Sequence, residues 1–261
     1  MKDITLEEMR ELQLNMLDKI HAFCIQNDIR YSLGGGTLLG AIRHKGYIPW
    51  DDDVDIMMPR PDYEKFLKGF EGFHENLILQ HYKNDDSYYY PFAKIYDNRT
   101  LLIEPGARNG IYIDVFPIDG LPPFEQIPKF LDQYNHYIDQ LFRTTKFYRF
   151  KKRLYIQLKY YLRKFYTPSR KVVIANLENL LFANDFEKAE FAGAIVGRYG
   201  EKEAMKAVIF RNYTQAQFEG RYFNIIVDYD AYLKQHYGNY MQLPPIEQQI
   251  SNHQFEAYWN A

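Results

Sequence analysis

The sequence predicts a mixed α/β fold, with a sheet-containing core over residues 1–120 and a mainly helical region over residues 121–261. Two observations support this prediction. Apolar residues recur at three- and four-residue steps in some segments and at two-residue steps in others, which are the periods of helices and of strands. Turn-forming residues separate these segments, and the prolines at positions 122, 123 and 128 mark a boundary between the two regions.

The first predicted element is an amphipathic helix over residues 5–26, where Thr5 and Glu8 have the spacing of a capping box. In chain order, the predicted elements that follow are a strand over 29–33, a glycine turn at 34–36, a helix start at 37–43, a strand over 52–58, a helix over 62–70 and strands over 77–82, 90–96, 101–104 and 111–116. Up to about residue 183 the period is then helical, and short elements are mixed beyond residue 186.

The composition is that of a soluble globular protein, since 46% of the residues are apolar and the formal net charge is −2. Full disorder is excluded. Cys24 is the single cysteine, so an internal disulfide framework is excluded and a reducing compartment is favoured. No apolar run approaches the roughly 18 residues that span a bilayer, and the first residues lack the pattern of a signal peptide. These features predict a cytoplasmic protein.

The most informative segment is a run of aspartates at positions 51–53 followed by Asp55. On a strand, Asp51, Asp53 and Asp55 share a face. Their like charges are tolerated there mainly when a cation neutralises them, and hard oxygen ligands suit Mg²⁺ or Mn²⁺. A further acid, Asp114, lies within an otherwise apolar predicted strand, where an unpaired charge is unfavourable. We therefore expect Asp114 to share a metal with Asp53 and Asp55.

An alternative interpretation places the aspartate run in a solvated turn and pairs Asp114 with a lysine or with a loop end. The glycines at 34–36 favour the metal site, because a glycine turn that opens a helix directs backbone N–H groups at a phosphate. Arg43 follows within the same helical stretch, where its guanidinium can meet phosphate oxygens. A purely structural role for the glycines is the alternative.

Several motifs resemble those of known transferases. The run LGGGTLLGAIRHKGYIPWDDDVDIMMPRPDYEKF, together with FAKIYDNRT, GIYIDVFPIDGLP and YGNYMQLPP, is similar to the LicD family of phosphocholine transferases. That family has a nucleotidyltransferase-like fold and is related to fukutin-type ribitol-phosphate transferases. The likeness covers most of residues 30–120 and returns near the C-terminus. It implies a nucleotidyltransferase-like mixed sheet core with surrounding helices.

The resemblance also implies site residues. Asp53 and Asp55 would be catalytic and would hold the divalent metal, and Asp114 would complete the triad, with Asp119 a weaker candidate. From the chemistry of its carboxylate, Asp114 is also the leading candidate to orient or deprotonate the sugar hydroxyl. The residues that would contact the donor phosphates are Gly35, Gly36 and Thr37. The family's histidine pair near the C-terminus is represented here only by Asn252 and His253, so the role of His253 is open. The family reaction moves phosphocholine from CDP-choline to a sugar of a cell-surface glycan and releases CMP.

A choline head group offers no hydrogen-bond donor, so its recognition would depend on aromatic faces. The candidates are Trp50, beside the aspartate run, and four rings in a predicted loop: Tyr88, Tyr89, Tyr90 and Phe92. Packing in the core is the alternative use of each ring. Lys94, in the FAKIYDNRT motif, is a candidate contact to the donor phosphates, and a solvated lysine on a strand face is the alternative.

Charge is unevenly distributed, because residues 140–177 contain eleven lysines and arginines and no acid, interleaved with aromatic residues. Such a segment is typical of an interfacial helix, and we interpret residues 142–171 as a surface for the cytoplasmic face of a membrane. The alternatives are a solvated basic helix and one that faces the acidic part of the same molecule. Nucleic-acid binding is not expected, since no motif for it accompanies the charge.

These features predict a metal-dependent transferase that moves phosphocholine from CDP-choline to a sugar hydroxyl of a lipid-linked glycan or teichoic acid precursor. Mg²⁺ or Mn²⁺ would be its cofactor, and the protein would be located at the inner face of the cell membrane. One alternative is a transferase of the same fold with another donor, such as CDP-ribitol, or a true nucleotidyltransferase. The other is a non-catalytic scaffold at the membrane surface, which would have no need of three such aspartates.

Overall fold

The computed structural model describes residues 2–104, 107–145, 165–196, 200–250 and 256–260. Within these ranges the helices are α1 (Leu6–Gln26), α2 (Gly35–Arg43), α3 (Arg60–Phe70), α4 (Ile127–Thr144), α5 (Arg170–Leu181) and α6 (Tyr229–Tyr237). The strands are β1 (Lys2–Asp3), β2 (Ser32–Leu33), β3 (Asp55–Pro59), β4 (Leu77–Gln80), β5 (Ala93–Asp97), β6 (Thr100–Glu104), β7 (Ala107–Asn109), β8 (Tyr112–Leu121), β9 (Phe191–Gly193), β10 (Met205–Lys206), β11 (Tyr213–Phe218), β12 (Arg221–Ile226) and β13 (Glu256–Trp259). The predicted mixed α/β fold is confirmed.

The long strand β8 is the centre of the largest sheet. It pairs in parallel with β3, where Asp55 lies opposite Asp114, and antiparallel with β5, where Lys94 lies opposite Asp114. β2 extends the sheet beyond β3, β4 pairs with β5, and β9 and β10 continue the sheet from the far end of β8. Because the partners of Asp114 come from both neighbouring strands, the sheet register places Asp55, Asp114 and Lys94 in one row.

Two smaller sheets surround this one. In the first, the order is β1, β13, β6 and β7, with Lys2 of β1 opposite Trp259 of β13. In the second, β11 and β12 form an antiparallel hairpin. Strands that follow residue 121 thus pair with strands that precede it, at both the β8–β9 and the β6–β13 edges.

The apolar residues form two clusters among the described residues. The larger one joins α1, α2 and α3 to the sheets, with Leu17 and Ile20 of α1 fully buried. The smaller one joins α4 and α5 to Tyr82 and Tyr88. Burying one face of each helix against a sheet or another helix is the main stabilising contribution in such a fold.

The start of α1 agrees with the prediction in detail. The Thr5 hydroxyl accepts a hydrogen bond from the Glu8 backbone N–H at 3.1 Å, and the Glu8 carboxylate accepts one from the Thr5 N–H at 2.9 Å. This is the reciprocal capping box that the sequence predicts. It satisfies donors that the first turn of a helix otherwise leaves without partners.

The predicted strand over residues 52–58 is wrong at its start, because the strand begins at Asp55. Residues 51–54 form a loop, and the Asp51 and Asp52 carbonyl groups of this loop accept hydrogen bonds from α1 side chains. Arg10 Nη2 donates to Asp51 O at 2.5 Å and Gln13 Nε2 donates to Asp52 O at 3.1 Å. Side chains of α1 therefore occupy the position that a strand partner would take for the Asp51 and Asp52 carbonyl groups.

The strand predicted over 111–116 continues to Leu121, past Pro117. On one edge, β8 pairs with β5 up to Val115 and with β9 only from Asp119 onward. Pro117 lies in the interval between these two partners. A residue without an N–H donor is tolerated there because that edge of the strand needs no ladder bond.

Part of the predicted membrane surface lies outside the described residues, namely 146–164 of the 142–171 segment, as does His253. Of its described bases, Arg143 pairs with Asp139, and Arg170 donates from Nη2 to carbonyl oxygens of the loop over residues 82–88. These two guanidinium groups have partners within the chain. Among the described residues, no helix is both long and apolar enough to cross a membrane.

Candidate active site

A cleft of about 1080 Å³ lies between segments that are far apart in the sequence. One part of its lining comes from the first 60 residues: Gly34, Gly35, Gly36, Arg43, Trp50, Asp51, Asp53 and Asp55. A second part is aromatic: Tyr89, Tyr90, Phe92 and Phe116. A third part comes from the last quarter of the chain: Glu203, Tyr232, Tyr237, Asn239, Tyr240, Leu243 and Pro244. A cleft of this size with converging polar groups is typical of a small-molecule site.

The glycine turn is bound directly to the start of β3. Gly34 N donates to Asp55 O at 2.9 Å, and Asp55 N donates to the Thr37 hydroxyl, also at 2.9 Å. Gly35 has a φ of +47°, which favours glycine, and a Cβ there would lie 3.1 Å from Asp55 Oδ2. The N-terminus of α2 and the Asp55 carboxylate therefore occupy the same small region, and helix N-termini favour anions.

The aspartate run forms a compact carboxylate cluster. One ligand oxygen each from Asp51, Asp52 and Asp53 can be chosen so that all lie within 4.8 Å of one another. Asp51 and Asp53 line the cleft, whereas Asp52 is buried. A Cβ at Gly36 would lie 2.7 Å from Asp51 Oδ2, so the cluster packs against the glycine turn.

Behind the cleft, the row of Asp55, Asp114 and Lys94 crosses three strands. Lys94 Nζ lies 2.7 Å from Asp114 Oδ1, with both side chains at most 13% exposed, and 3.3 Å from the centroid of the Tyr112 ring. Burial raises the pKa of Asp55 well above its usual value, and the charges of Asp53, Asp114 and Asp51 raise it further, while Lys94 lowers it. Negative charge is therefore concentrated at the cleft end of this row.

The structure separates the predicted site residues into two groups. Those that line the cleft are Asp53, Asp55, Gly35, Gly36, Arg43 and Trp50. Thr37 lies beneath the turn, and Asp114 and Lys94 lie behind the lining as an ion pair, in the arrangement that the alternative interpretation of Asp114 described. Lys94 is buried rather than solvated. Asp119 is fully buried in a two-bond contact with Arg60, at 2.6 and 2.8 Å, away from this row.

The predicted aromatic loop supplies one wall of the cleft. Ring centroids are 4.3 Å apart for Tyr89 and Tyr90, 5.2 Å for Tyr90 and Phe92 and 4.6 Å for Phe92 and Phe116. Tyr88, by contrast, is 4% exposed and belongs to the smaller core cluster. The rings therefore form a continuous surface that is able to contact a base or a cationic head group.

Sequence reasoning did not identify the far wall as part of the site. Arg43 Nη1 donates to Tyr240 O at 2.6 Å, which fixes the C-terminal segment against α2. Tyr232, Tyr237 and Glu203 also line the cleft. The YGNYMQLPP motif was the one signal for this wall, because it belongs to the resemblance although it lies far from the aspartates.

The donor set fits a hard divalent cation. Carboxylate oxygens are the ligands that Mg²⁺ and Mn²⁺ prefer, and Asp51, Asp53 and Asp55 all face the cleft. Burial raises the pKa of Asp55, the neighbouring aspartates raise it further, and a bound cation would favour the ionised carboxylate. Asp51, Asp53 and Asp55 therefore supply both the oxygen ligands and the negative charge that such an ion requires.

Comparison with known proteins identifies relatives over the whole chain. The family described as LicD/FKTN/FKRP, nucleotidyltransferase domain, matches residues 28–172. The lipopolysaccharide cholinephosphotransferase LicD of Haemophilus influenzae is 35% identical over 275 aligned residues, which cover 99% of each chain. An uncharacterized protein of Rickettsia typhi is 43% identical over 74 residues, which cover 27% of this chain and 24% of that protein.

Proposed function

The chain belongs to the LicD family, and from this membership and the geometry of the cleft we propose that it is a phosphotransferase that moves phosphocholine from CDP-choline to lipopolysaccharide. The acceptor would be a sugar hydroxyl of a lipid-linked glycan. The observation that carries the proposal is the cleft itself, in which a glycine turn, a cluster of aspartates and an aromatic wall converge. These are the groups that a phosphate, a divalent cation and a choline head group require.

In this proposal the aspartates bind the cation and the turn binds the donor. Asp53 and Asp55 would hold Mg²⁺ or Mn²⁺, and Asp114 would add its negative charge from the neighbouring strand. A bound divalent ion supplies charge neutralisation on the phosphates and a polarised phosphorus centre. The backbone N–H groups at Gly35 and Gly36, with the N-terminus of α2, orient the phosphate oxygens. Lys94 keeps the Asp114 carboxylate in place through its ion pair.

The transfer itself requires an acceptor oxygen in line with the bond that breaks. The sugar oxygen forms a bond to the phosphorus of phosphocholine, the bond from that phosphorus to CMP breaks, and the electron pair leaves with CMP. Because Asp114 lies behind the cleft lining, we assign the hydroxyl proton to a cleft-facing carboxylate of the 51–55 segment. Positioning and electrostatic stabilisation account for most of the catalysis in such reactions.

The trimethylammonium group would rest on the aromatic wall. Cations lie favourably over ring faces, and Tyr89, Tyr90 and Phe92 present a surface of adjoining rings to the cleft. Membrane docking remains part of the proposal because the acceptor is amphiphilic, although Arg170, which we counted among the docking bases, has partners inside the chain.

Calorimetric titration tests the donor and the metal together. We expect CDP-choline to bind in Mn²⁺ more tightly than CDP-ribitol or CTP, and to lose most of its affinity in EDTA. Asp53→Asn should reduce transferase activity by roughly 100-fold or more, because it removes a charged ligand. Asp28→Asn is the control, since Asp28 is exposed and its φ of 51° suits asparagine as well.

Two results would change the conclusion. Preference for another nucleotide would retain the metal site and reassign the donor, as the CDP-ribitol and nucleotidyltransferase alternatives require. Full activity of Asp53→Asn, or activity unaffected by EDTA, would contradict the role of the aspartate cluster.

A further inference from the structure

The end of helix α6 meets the glycine turn, although about 200 residues separate them in the sequence. Tyr237 is the last residue of α6, and Gly238, with a φ of +63°, ends the helix directly after it. The Cβ position of Gly35 lies 3.9 Å from Tyr237 Oη and 3.1 Å from Asp55 Oδ2. The Tyr237 hydroxyl therefore lies beside the glycine turn, in the same cleft that Asp55 lines.

Arg43 contributes a positive charge to the lining of the same cleft. Burial lowers the pKa of Arg43, and its electrostatic interaction with Tyr237 offsets part of that effect. Both side chains line the cleft. A phenol hydroxyl, a guanidinium group and the N–H groups of a helix N-terminus together form a donor set that suits the oxygens of a phosphate.

The surrounding contacts hold α6 in one position. Gln235 Nε2 donates to Lys202 O at 2.7 Å, and His236 Nε2 lies 3.0 Å from Glu203 Oε2, so α6 is bound to the segment that precedes it. The ring of Tyr237 is half-buried against the larger core cluster. A hydrogen-bond donor fixed in this way needs little reorganisation when a ligand binds. It therefore stabilises charge in the transition state more strongly than a mobile donor does.

Resting on the proposed function, we propose that the Tyr237 hydroxyl is a catalytic group that donates a hydrogen bond to a phosphate oxygen of the nucleotide diphosphate donor, beside Gly35 and Arg43. Tyr237 keeps its proton throughout. The acceptor oxygen forms its bond to phosphorus, CMP leaves with the electron pair, and the tyrosine hydroxyl stabilises the charge on the phosphate oxygens as this happens. The C-terminal wall thus takes part in the chemistry as well as enclosing the cleft.

The test is Tyr237→Phe in the full chain, which removes one oxygen and keeps the ring. Binding of CDP, CDP-choline and cytidine is measured by calorimetry in Mn²⁺, with thermal midpoints to verify folding. We expect Tyr237→Phe to reduce the affinities for CDP and CDP-choline by roughly 10- to 100-fold, the loss typical of a hydrogen bond to a charged group. The affinity for cytidine should not change. The matched control is Tyr229→Phe, at the first position of the same helix and outside the described lining of the cleft.

Each other outcome has a definite meaning. Equal affinities of wild type and Tyr237→Phe for CDP-choline would overturn the assignment while leaving the proposed function intact. An equal loss for cytidine would also overturn it, because the hydroxyl would then act on the base or on the packing. If the wild-type protein binds no cytidine nucleotide, the proposed function is wrong, and the role of Tyr237 is wrong with it.

Discussion

Replacing Lys94 with methionine should destabilise the protein strongly, because it leaves Asp114 among other carboxylates without its cation. Two unit charges 2.7 Å apart attract by about 6 kcal/mol at an effective dielectric of about 20. The desolvation of both groups offsets part of this, and breaking a buried pair typically costs about 3–5 kcal/mol. We therefore expect the free energy of unfolding of Lys94→Met, from urea denaturation followed by circular dichroism in EDTA, to fall by about 3–5 kcal/mol.

A double-mutant cycle isolates the pair from other effects of the substitution. Asp114→Asn should lower the free energy of unfolding much less in the Lys94→Met background than in the wild type. The coupling energy between the two positions should be about 2–3 kcal/mol. The control is Lys188→Met, because Lys188 forms an ion pair with Asp185 in which the lysine is 86% exposed, so its loss should change stability by less than about 1 kcal/mol. A coupling energy below about 0.5 kcal/mol between Lys94 and Asp114 would refute the reasoning.

Three further predictions follow from local geometry. Gly35→Ala should lower the free energy of unfolding by about 1–2 kcal/mol in urea denaturation, because φ is +47°. The added Cβ would lie 3.1 Å from Asp55 Oδ2, so nucleotide binding in calorimetry should also weaken. Unchanged stability and affinity would contradict this. Arg170→Met removes the hydrogen bonds to three carbonyl groups of the 82–88 loop. We therefore expect the free energy of unfolding to fall by about 3 kcal/mol in the same denaturation assay and the activity to decrease. Replacing an arginine that only faced a membrane would cause neither change. Burial raises the pKa of Cys24, so at pH 8 its thiol should react with Ellman's reagent roughly 100-fold more slowly in the folded protein than in denaturant; equal rates would show that the thiol is accessible.

Local signals in the sequence predicted the parts of the fold that local interactions determine. The capping box of Thr5 and Glu8 depends on residues three apart, and the glycine turn precedes a helix as its composition indicates. The loop at residues 51–54 could not be predicted in the same way. Arg10 and Gln13 of α1, about 40 residues earlier, bind the carbonyl groups of Asp51 and Asp52, and a two-residue alternation of aspartates gives no sign of such partners.

The candidate site shows the same division. The glycines at 34–36 and the acids at 51–55 were visible in the sequence because they lie within about 20 residues of one another. The ion pair of Lys94 with Asp114 follows from strand register, and an antiparallel pairing of β5 with β8 is not encoded by either residue alone. Tyr237 was not recognised because tyrosine is abundant in this chain, at 24 residues, so composition cannot single one out.

The distance in sequence between the walls of the cleft has a consequence for how the protein is made. About 200 residues separate Gly35 from Tyr237, and ribosomes add roughly 5–20 residues per second, so the aspartate loop leaves the ribosome about 10–40 seconds before its opposite wall exists. The hydrogen bond from Arg43 to Tyr240 and the pairing of Lys2 with Trp259 must likewise wait until Tyr240 and Trp259 have been synthesised. During that interval the nascent chain carries a cluster of acids without the surface that encloses it, and the cleft is complete only once the segment around Tyr237 has packed against the glycine turn.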